Sequence, residues 1–337
     1  MTVFSNIPAV SEPLPWQSDS WRMVREEIEH GRLPHALMVS GPEHIGKSRF
    51  TLALARLLLC SAPMQGSNCG RCHACLLSAS GTHGDLMWIL PEEKSRVIKI
   101  DQVRELVDFT GKTASFGQRK VAVVSPAESM NKNAANALLK VLEEPPADTH
   151  LLLVSHRPHL LPSTVRSRCQ SLRLSIPSVE ASENWLRQHT GETAEARELL
   201  EAANNLPMLA ETLIAEDGSA TTYAQTQAMN AFINGHLGSA ELKPLLSDCE
   251  PLQILNLLLA GIQTRLRSLD SVALTRESAR AAFRMMDELY DLQRAVNAGS
   301  NPNKLLLIDS LLAKVQGKLG ENEHSDNIER KERGILS

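Results

Sequence analysis

The eight residues GPEHIGKS, 41–48, constrain this chain more than any other stretch. Gly41, Gly46, Lys47 and Ser48 spell a phosphate-binding loop, which requires a strand before it and a helix after it. In that setting backbone N–H groups and a helix N-terminus face an anion, lysine adds a point charge, and the serine hydroxyl can hold Mg²⁺. The flanks meet the requirement. LPHALMVSG (33–41) reads as a buried strand. Lys47 to Leu59 places Phe50, Leu54, Leu57 and Leu58 on a helical face. Gly41, Gly46, Lys47 and Ser48 are therefore the candidate nucleotide-binding residues, with ATP and Mg²⁺ as the ligand class.

Downstream segments continue the alternation. Asp85 to Leu90, KVAVVS (120–125) and HLLLVS (150–155) predict strands. Residues 100–112 predict a helix capped by Asp101 and stopped near Gly111, and 129–146 a helix halted by two prolines. Strand–helix alternation predicts an α/β domain with a mostly parallel sheet. After 176–180 the β signal disappears. Residues 180–215 suggest a small helical unit whose last helix opens at Pro207. Beyond Gly218 the pattern is helical only: Met285, Leu289, Leu292 and Val296 share one face, as do Leu305, Ile308, Leu312 and Val315. The expected division is 1–175, 176–217, 218–320 and a polar tail, 321–337, within a chain of 337 residues.

Hydrolysis needs more than a cradle. A second strand should end in an acid for Mg²⁺, commonly followed by a glutamate that orients water. Here KVAVVSPAES puts Ser125 and Pro126 at those places. Glu128, two residues on, would face the same side only if the strand ran through Pro126, whose ring removes a ladder donor.

Six cysteines are present, four of them within sixteen residues, CSAPMQGSNCGRCHAC. Cys60 at a helix end and Cys69, Cys72 and Cys75 on two shared Cys-x-x-Cys steps can converge as a tetrahedral zinc site, with Gly66 and Gly70 allowing the turns. Four protein ligands make such a site structural. An iron–sulfur cluster is the rival, but the ferredoxin pattern demands a further Cys-Pro, and Leu76 to Ala79 hold no cysteine. His73 and His83 read as surface or supporting residues. The chain has no signal-peptide pattern, and its greasiest stretch, Phe50 to Cys60, is interrupted by Arg56. A cytoplasmic location is expected. A net charge of −4 and 4% aromatic residues weigh against a third reading, a DNA-binding protein that coats or stacks on nucleic acid by itself.

NALLKVLEEPP (136–146), STVRSRCQ (163–170), the LPHALMVSG lead-in and the late helix NPNKLLLIDSLLAKV together resemble the clamp-loader branch of the AAA+ proteins. A cysteine knuckle directly after the phosphate-loop helix resembles the bacterial branch, the DNA polymerase III loaders. The resemblance runs from about residue 15 to 318. It implies an AAA+ domain with an inserted zinc knuckle (60–75), a helical lid, and an all-α collar through which subunits join. It also implies a five-membered ring with gamma/tau and delta subunits that opens the sliding clamp and places it on primed DNA. The chain would then serve a DNA-directed DNA polymerase, a nucleotidyltransferase, without itself transferring nucleotides.

Within the branch, gamma/tau carries the two acids that Ser125 and Pro126 replace, and a γ-phosphate-sensing arginine where this chain has Met208. These departures imply a stator-like, non-hydrolysing subunit, although the cradle is intact. In SRC, Arg168 matches the arginine finger that reaches a neighbour's ATP site in trans; Arg166 is its rival, and Ser167 and Cys169 would shape the turn. Of NALLKVLEEPP, Leu138, Leu139 and Leu142 read as core, and Lys140, Glu143 and Glu144 as outward. The alternative function is an autonomous ATPase with Glu128 as base.

Overall fold

The strand expected over 33–41 forms as β1 (Ala36–Ser40), every residue of which is buried and which has strands on both sides. The others are β2 (Leu86–Ile89), β3 (Lys120–Val124), β4 (Thr149–Ser155) and β5 (Gln170–Arg173), in the order β2-β3-β4-β1-β5. All four pairings are parallel, with Met38 opposite Leu153 and Ala122 opposite Leu151. Continuous apolar runs suit such strands, because helices cover both faces of a parallel sheet. This computed structural model describes residues 8–317 apart from 93–94, 117–118, 191–192, 204, 216–218, 270–273, 275–276, 298–299 and 301. The expected polar tail, 321–337, lies outside the described residues.

The chain divides into two compact units, residues 1–185 and 186–337. The first contains the sheet with α1 (Ser18–Glu29), α2 (Lys47–Leu59), α3 (His73–Ala79), α4 (Ile100–Thr110), α5 (Lys132–Glu143) and α6 (Ser163–Arg166), and most of α7 (Val179–Thr190). Leu138 and Leu142 of α5 join Val103 and Leu106 of α4 and Leu151 and Leu153 of β4 in one core. Leu139 packs against that core from a half-buried position, while Lys140, Glu143 and Glu144 are exposed.

Two helix starts differ from expectation, and one strand was not expected. The N-cap of α4 is Lys99, in extended conformation, and Asp101 sits inside the first turn, where its charge favours the helix dipole. Helix α5 begins at Lys132 rather than 129, because the Asn131 side chain accepts the Ala134 N–H at 2.8 Å and fixes the start. Residues 127–129 form a separate 3₁₀ turn. Strand β5 was not expected: only Leu172 of its four residues is buried, so it carries no alternation.

The second unit contains α8 (Thr193–Ala202), α9 (Pro207–Ala215), α10 (Ser219–Ile233), α11 (Ser239–Leu245), α12 (Pro251–Ser268), α13 (Glu277–Asn297) and α14 (Lys304–Val315). Its core gathers Met229, Ile254, Leu258, Ile262, Met285 and Leu289, and Leu292 and Val296 pack against it. On α14 the buried stripe is Leu307, Ile308, Leu311, Leu312 and Val315, whereas Leu305 is 73% exposed. At 100° per residue Leu305 lies roughly 90° from the centre of that stripe, too far round to reach the core.

Candidate functional site

The phosphate loop leaves β1 and opens α2 as its motif requires. Gly46 is the N-cap of α2 with φ 85°. Gly41 has φ 148°, and a Cβ there would lie 2.6 Å from the Leu174 carbonyl oxygen, so the loop can start only from glycine. Ser48 is exposed at the mouth of the helix. Lys47 is buried, and its Nζ donates to the Pro42 carbonyl of its own loop. Burial lowers the Lys47 pKa to about 8, although Glu43 and Glu128 oppose the shift. A helix N-terminus plus a buried lysine fits a phosphate group.

The cation side of the site is different. Strand β3 stops at Val124, leaving buried Ser125 and then Pro126 where the acids of a hydrolytic site would stand. Glu128 is in the 3₁₀ turn, not on a continued strand. Its Oε1 accepts the N–H groups of His156 at 2.9 Å and Arg157 at 3.1 Å, just past β4. Its Oε2 is buried without a hydrogen-bond partner. Burial lowers the pKa of neighbouring His156, and the Lys47 charge adds to that shift. Arg157 pairs with Glu43 of the loop at 3.7 Å.

Arg168 lies in the turn after α6. Its Nη1 donates to the Thr164 carbonyl at 2.8 Å, and its Nη2 lies 2.7 Å from Glu143 Oε1 at the end of α5. Both side chains are partly exposed. Ser167 Oγ donates to the same Thr164 carbonyl at 3.3 Å, and the Cys169 N–H donates to Arg166 at 3.3 Å. Arg166 is exposed one residue before that turn.

The four knuckle cysteines converge. The sulfurs of Cys60, Cys69, Cys72 and Cys75 all lie within 4.8 Å of one another and can hold a metal ion such as zinc. The Cys60–Cys72 and Cys69–Cys75 sulfur pairs are 3.9 and 4.0 Å apart. Cys60 ends α2 and Cys72 caps α3, while Gly66 and Gly70 take φ of 81° and 71° between them. The Cys69 N–H donates to Cys60 Sγ and the Cys72 N–H to Cys69 Sγ, both at 3.3 Å. Such bonds favour thiolates. Burial raises Cys72, but backbone and Ser61 hydrogen bonds outweigh it and bring the thiol down to about 6. Burial dominates at Cys60, which is pushed up to about 12. Neither His73, exposed at the start of α3, nor buried His83, whose Nδ1 accepts the Asp85 N–H at 3.0 Å, belongs to the cluster.

Residues 16–178 match a family model described as "DNA polymerase III, delta subunit". A DNA polymerase III subunit delta' from Pseudomonas aeruginosa is 45% identical over 201 residues, covering 59% of this chain and 60% of that protein. The Escherichia coli subunit delta' is 36% identical over 172 residues, covering 51% of this chain and 52% of that protein. Over this N-terminal part the chain is similar to DNA polymerase III delta-prime subunits. Each match spans little more than half of the relative's length. A DNA polymerase III gamma subunit-related protein from Thermotoga maritima shares the fold, with a TM-score of 0.53, 19% identity, and coverage of 89% of this chain and 99% of that one.

Several residues that the sequence did not single out support the site. Trp16 Nε1 donates to the Ile45 carbonyl at 3.0 Å, and Gln17 Nε2 to the Ile45 and Gly46 carbonyls at 3.1 Å. They brace the back of the phosphate loop from about thirty residues upstream, a distance at which no local pattern reveals a contact. Asp85 and Lys120, both buried, form an ion pair at 3.5 Å below the sheet edge. Arg56 was visible only as an interruption of an apolar run, and is in fact 1% exposed. Met208, half-buried near the start of α9, offers no charge.

Proposed function

We propose that this chain acts in a clamp loader as a subunit that does not turn over ATP itself, and that it supplies Arg168 in trans to the ATP site of a neighbouring gamma/tau subunit. One observation carries the first half: an intact cradle stands beside a strand end, Ser125-Pro126, that has no carboxylate. A hydroxyl gives Mg²⁺ no negative ligand there, and proline offers no base. For the second half, Arg168 is partly exposed and already held by Glu143 and the Thr164 carbonyl. A guanidinium so presented can neutralise charge developing on a partner's γ-phosphate.

In this reading residues 176–217 form the lid and 218–320 the collar that joins gamma/tau and delta, and the assembly loads the sliding clamp on primed DNA. The knuckle holds one structural zinc through Cys60, Cys69, Cys72 and Cys75. Any nucleotide sits on the amides after Gly46 with Lys47 beneath its phosphates, and Ser48 offers its hydroxyl to the accompanying Mg²⁺.

A second reading, an autonomous ATPase, draws on the unpaired Oε2 of Glu128. Against it, the other oxygen of that carboxylate is fastened to two backbone N–H groups, which favours a structural role. Steady-state ATP turnover by the purified chain, with Lys47→Ala as control, decides between them. Turnover at the control level is expected; Lys47-dependent turnover would make the chain a motor.

A further inference from the structure

Helix α2 is apolar from Phe50 to Leu59 except for Thr51 and Arg56. Arg56 is almost wholly buried, and its acceptors are all neutral: the Pro8 carbonyl at 2.7 Å, Ser11 Oγ at 2.6 Å and the Ser78 carbonyl at 3.1 Å. Its Nε is buried with no acceptor. Among the described residues no carboxylate pairs with it. A buried guanidinium without a counter-charge is costly, and such groups are ordinarily paired.

The helices that carry the knuckle are the ones Arg56 sits on and bonds. Arg56 is one helical turn before Cys60 on α2, and it bonds Ser78 on α3, the helix that carries Cys75. Ser78 Oγ in turn donates to the Cys75 carbonyl at 2.9 Å. A divalent ion held by four thiolates carries a net double negative charge, and two of the four cysteines, Cys60 and Cys75, are buried.

We propose that Arg56 is the internal counter-cation of the cysteine knuckle, a positioning residue that favours the metal-bound tetrathiolate over the metal-free cluster. The inference rests on the zinc reading given above. It assigns Asn68 a parallel part: its Nδ2 donates to Cys75 Sγ at 3.2 Å and to the Ala9 carbonyl at 2.8 Å, while its Oδ1 accepts the Ser11 N–H at 2.8 Å. The segment from Pro8 to Ser11 is thus clamped by the two residues that support the sulfurs.

The test is zinc affinity of the full chain by competition with a chromogenic chelator, with folding followed by circular dichroism. Arg56→Met should weaken zinc binding by about tenfold or more, the usual cost of losing a residue that supports metal ligands. Arg56→Lys, which keeps the charge but not the hydrogen bonds, should recover most of it. Ser11→Ala, which removes an acceptor of Arg56 and no charge, should leave affinity unchanged. If Arg56→Met does not fold, Arg56→Gln against Arg56→Lys poses the same comparison. Equal affinity in the neutral variant and the wild type overturns the inference. So does equal weakening in the lysine and neutral variants, which would reduce Arg56 to a brace for the segment. A wild-type chain that binds no zinc would instead remove the zinc reading itself.

Discussion

Glu143 Oε1 and Arg168 Nη2 lie 2.7 Å apart, so the end of α5 holds the arginine in the turn after α6. Two of the motifs that resembled clamp loaders in sequence, NALLKVLEEPP and STVRSRCQ, therefore meet in space. Glu143 faces outward because α5 turns Leu138 and Leu142 inward, and the outward position is what lets it reach Arg168. In a reconstituted loader, Arg168→Ala should leave assembly intact and slow hydrolysis at the ATP site it serves by ~10³-fold or more. Arg166→Ala should have little effect. Because the pair is partly exposed, Glu143→Ala should cost about fivefold at most, the size of a surface ion pair. Unchanged DNA-stimulated turnover in Arg168→Ala would take the finger away from this residue.

Nucleotide binding should depend on pH through Lys47. Burial lowers its pKa to about 8, so the charge that attracts phosphate is lost as pH rises through that value. A bound polyphosphate keeps the lysine protonated, hence affinity should fall roughly tenfold per unit above the free pKa. Titration with a fluorescent ATP analogue at about pH 7 and about pH 9 measures it. Lys47→Ala should bind weakly and lose the pH dependence.

Metal analysis should find about one zinc per chain, without an iron chromophore. Chelation should make four further thiols reactive, those of Cys60, Cys69, Cys72 and Cys75. Thiol counting before and after chelator reads this out. An iron absorption band, or no change in thiol count, would contradict a zinc knuckle.

Asp85 and Lys120 should matter for stability rather than function. Asp85 accepts the Ser115 and Phe116 N–H groups at 2.8 Å each and pairs with Lys120, whose Nζ lies 4.0 Å from the Phe109 ring centroid. Burial raises the Asp85 pKa, but these N–H groups and Lys120 outweigh it and hold the carboxyl below its ordinary value. A depressed carboxylate stabilises the fold above its unfolded pKa, and that contribution is lost as pH falls through the folded value. Asp85→Ala strands a buried ammonium and should cost about 3–5 kcal/mol in chemical denaturation. A loss under about 1 kcal/mol would mean that water reaches the pair.

The sequence by itself determined the phosphate cradle, the parallel sheet behind it, the convergence of four cysteines and the absence of acids at Ser125-Pro126. Each is written in local spacing: a loop motif, apolar runs, and Cys-x-x-Cys steps that leave the backbone few alternatives. The resemblance to clamp loaders was legible for the same reason, since the motifs that carry it are short and contiguous. Tertiary structure alone decided the rest. Only it could show that Glu143 meets Arg168, that Glu128 turns back onto the His156 and Arg157 N–H groups, or that Trp16 and Gln17 brace the loop. Strand β5 forms because β1 offers an edge to pair with, despite its own weak pattern. Arg56 is the clearest contrast: a charge in an apolar helix reads as an interruption in sequence, and folding encloses it against Ser78 of α3, the helix that carries Cys75, where burial makes its charge costly unless another group offsets it.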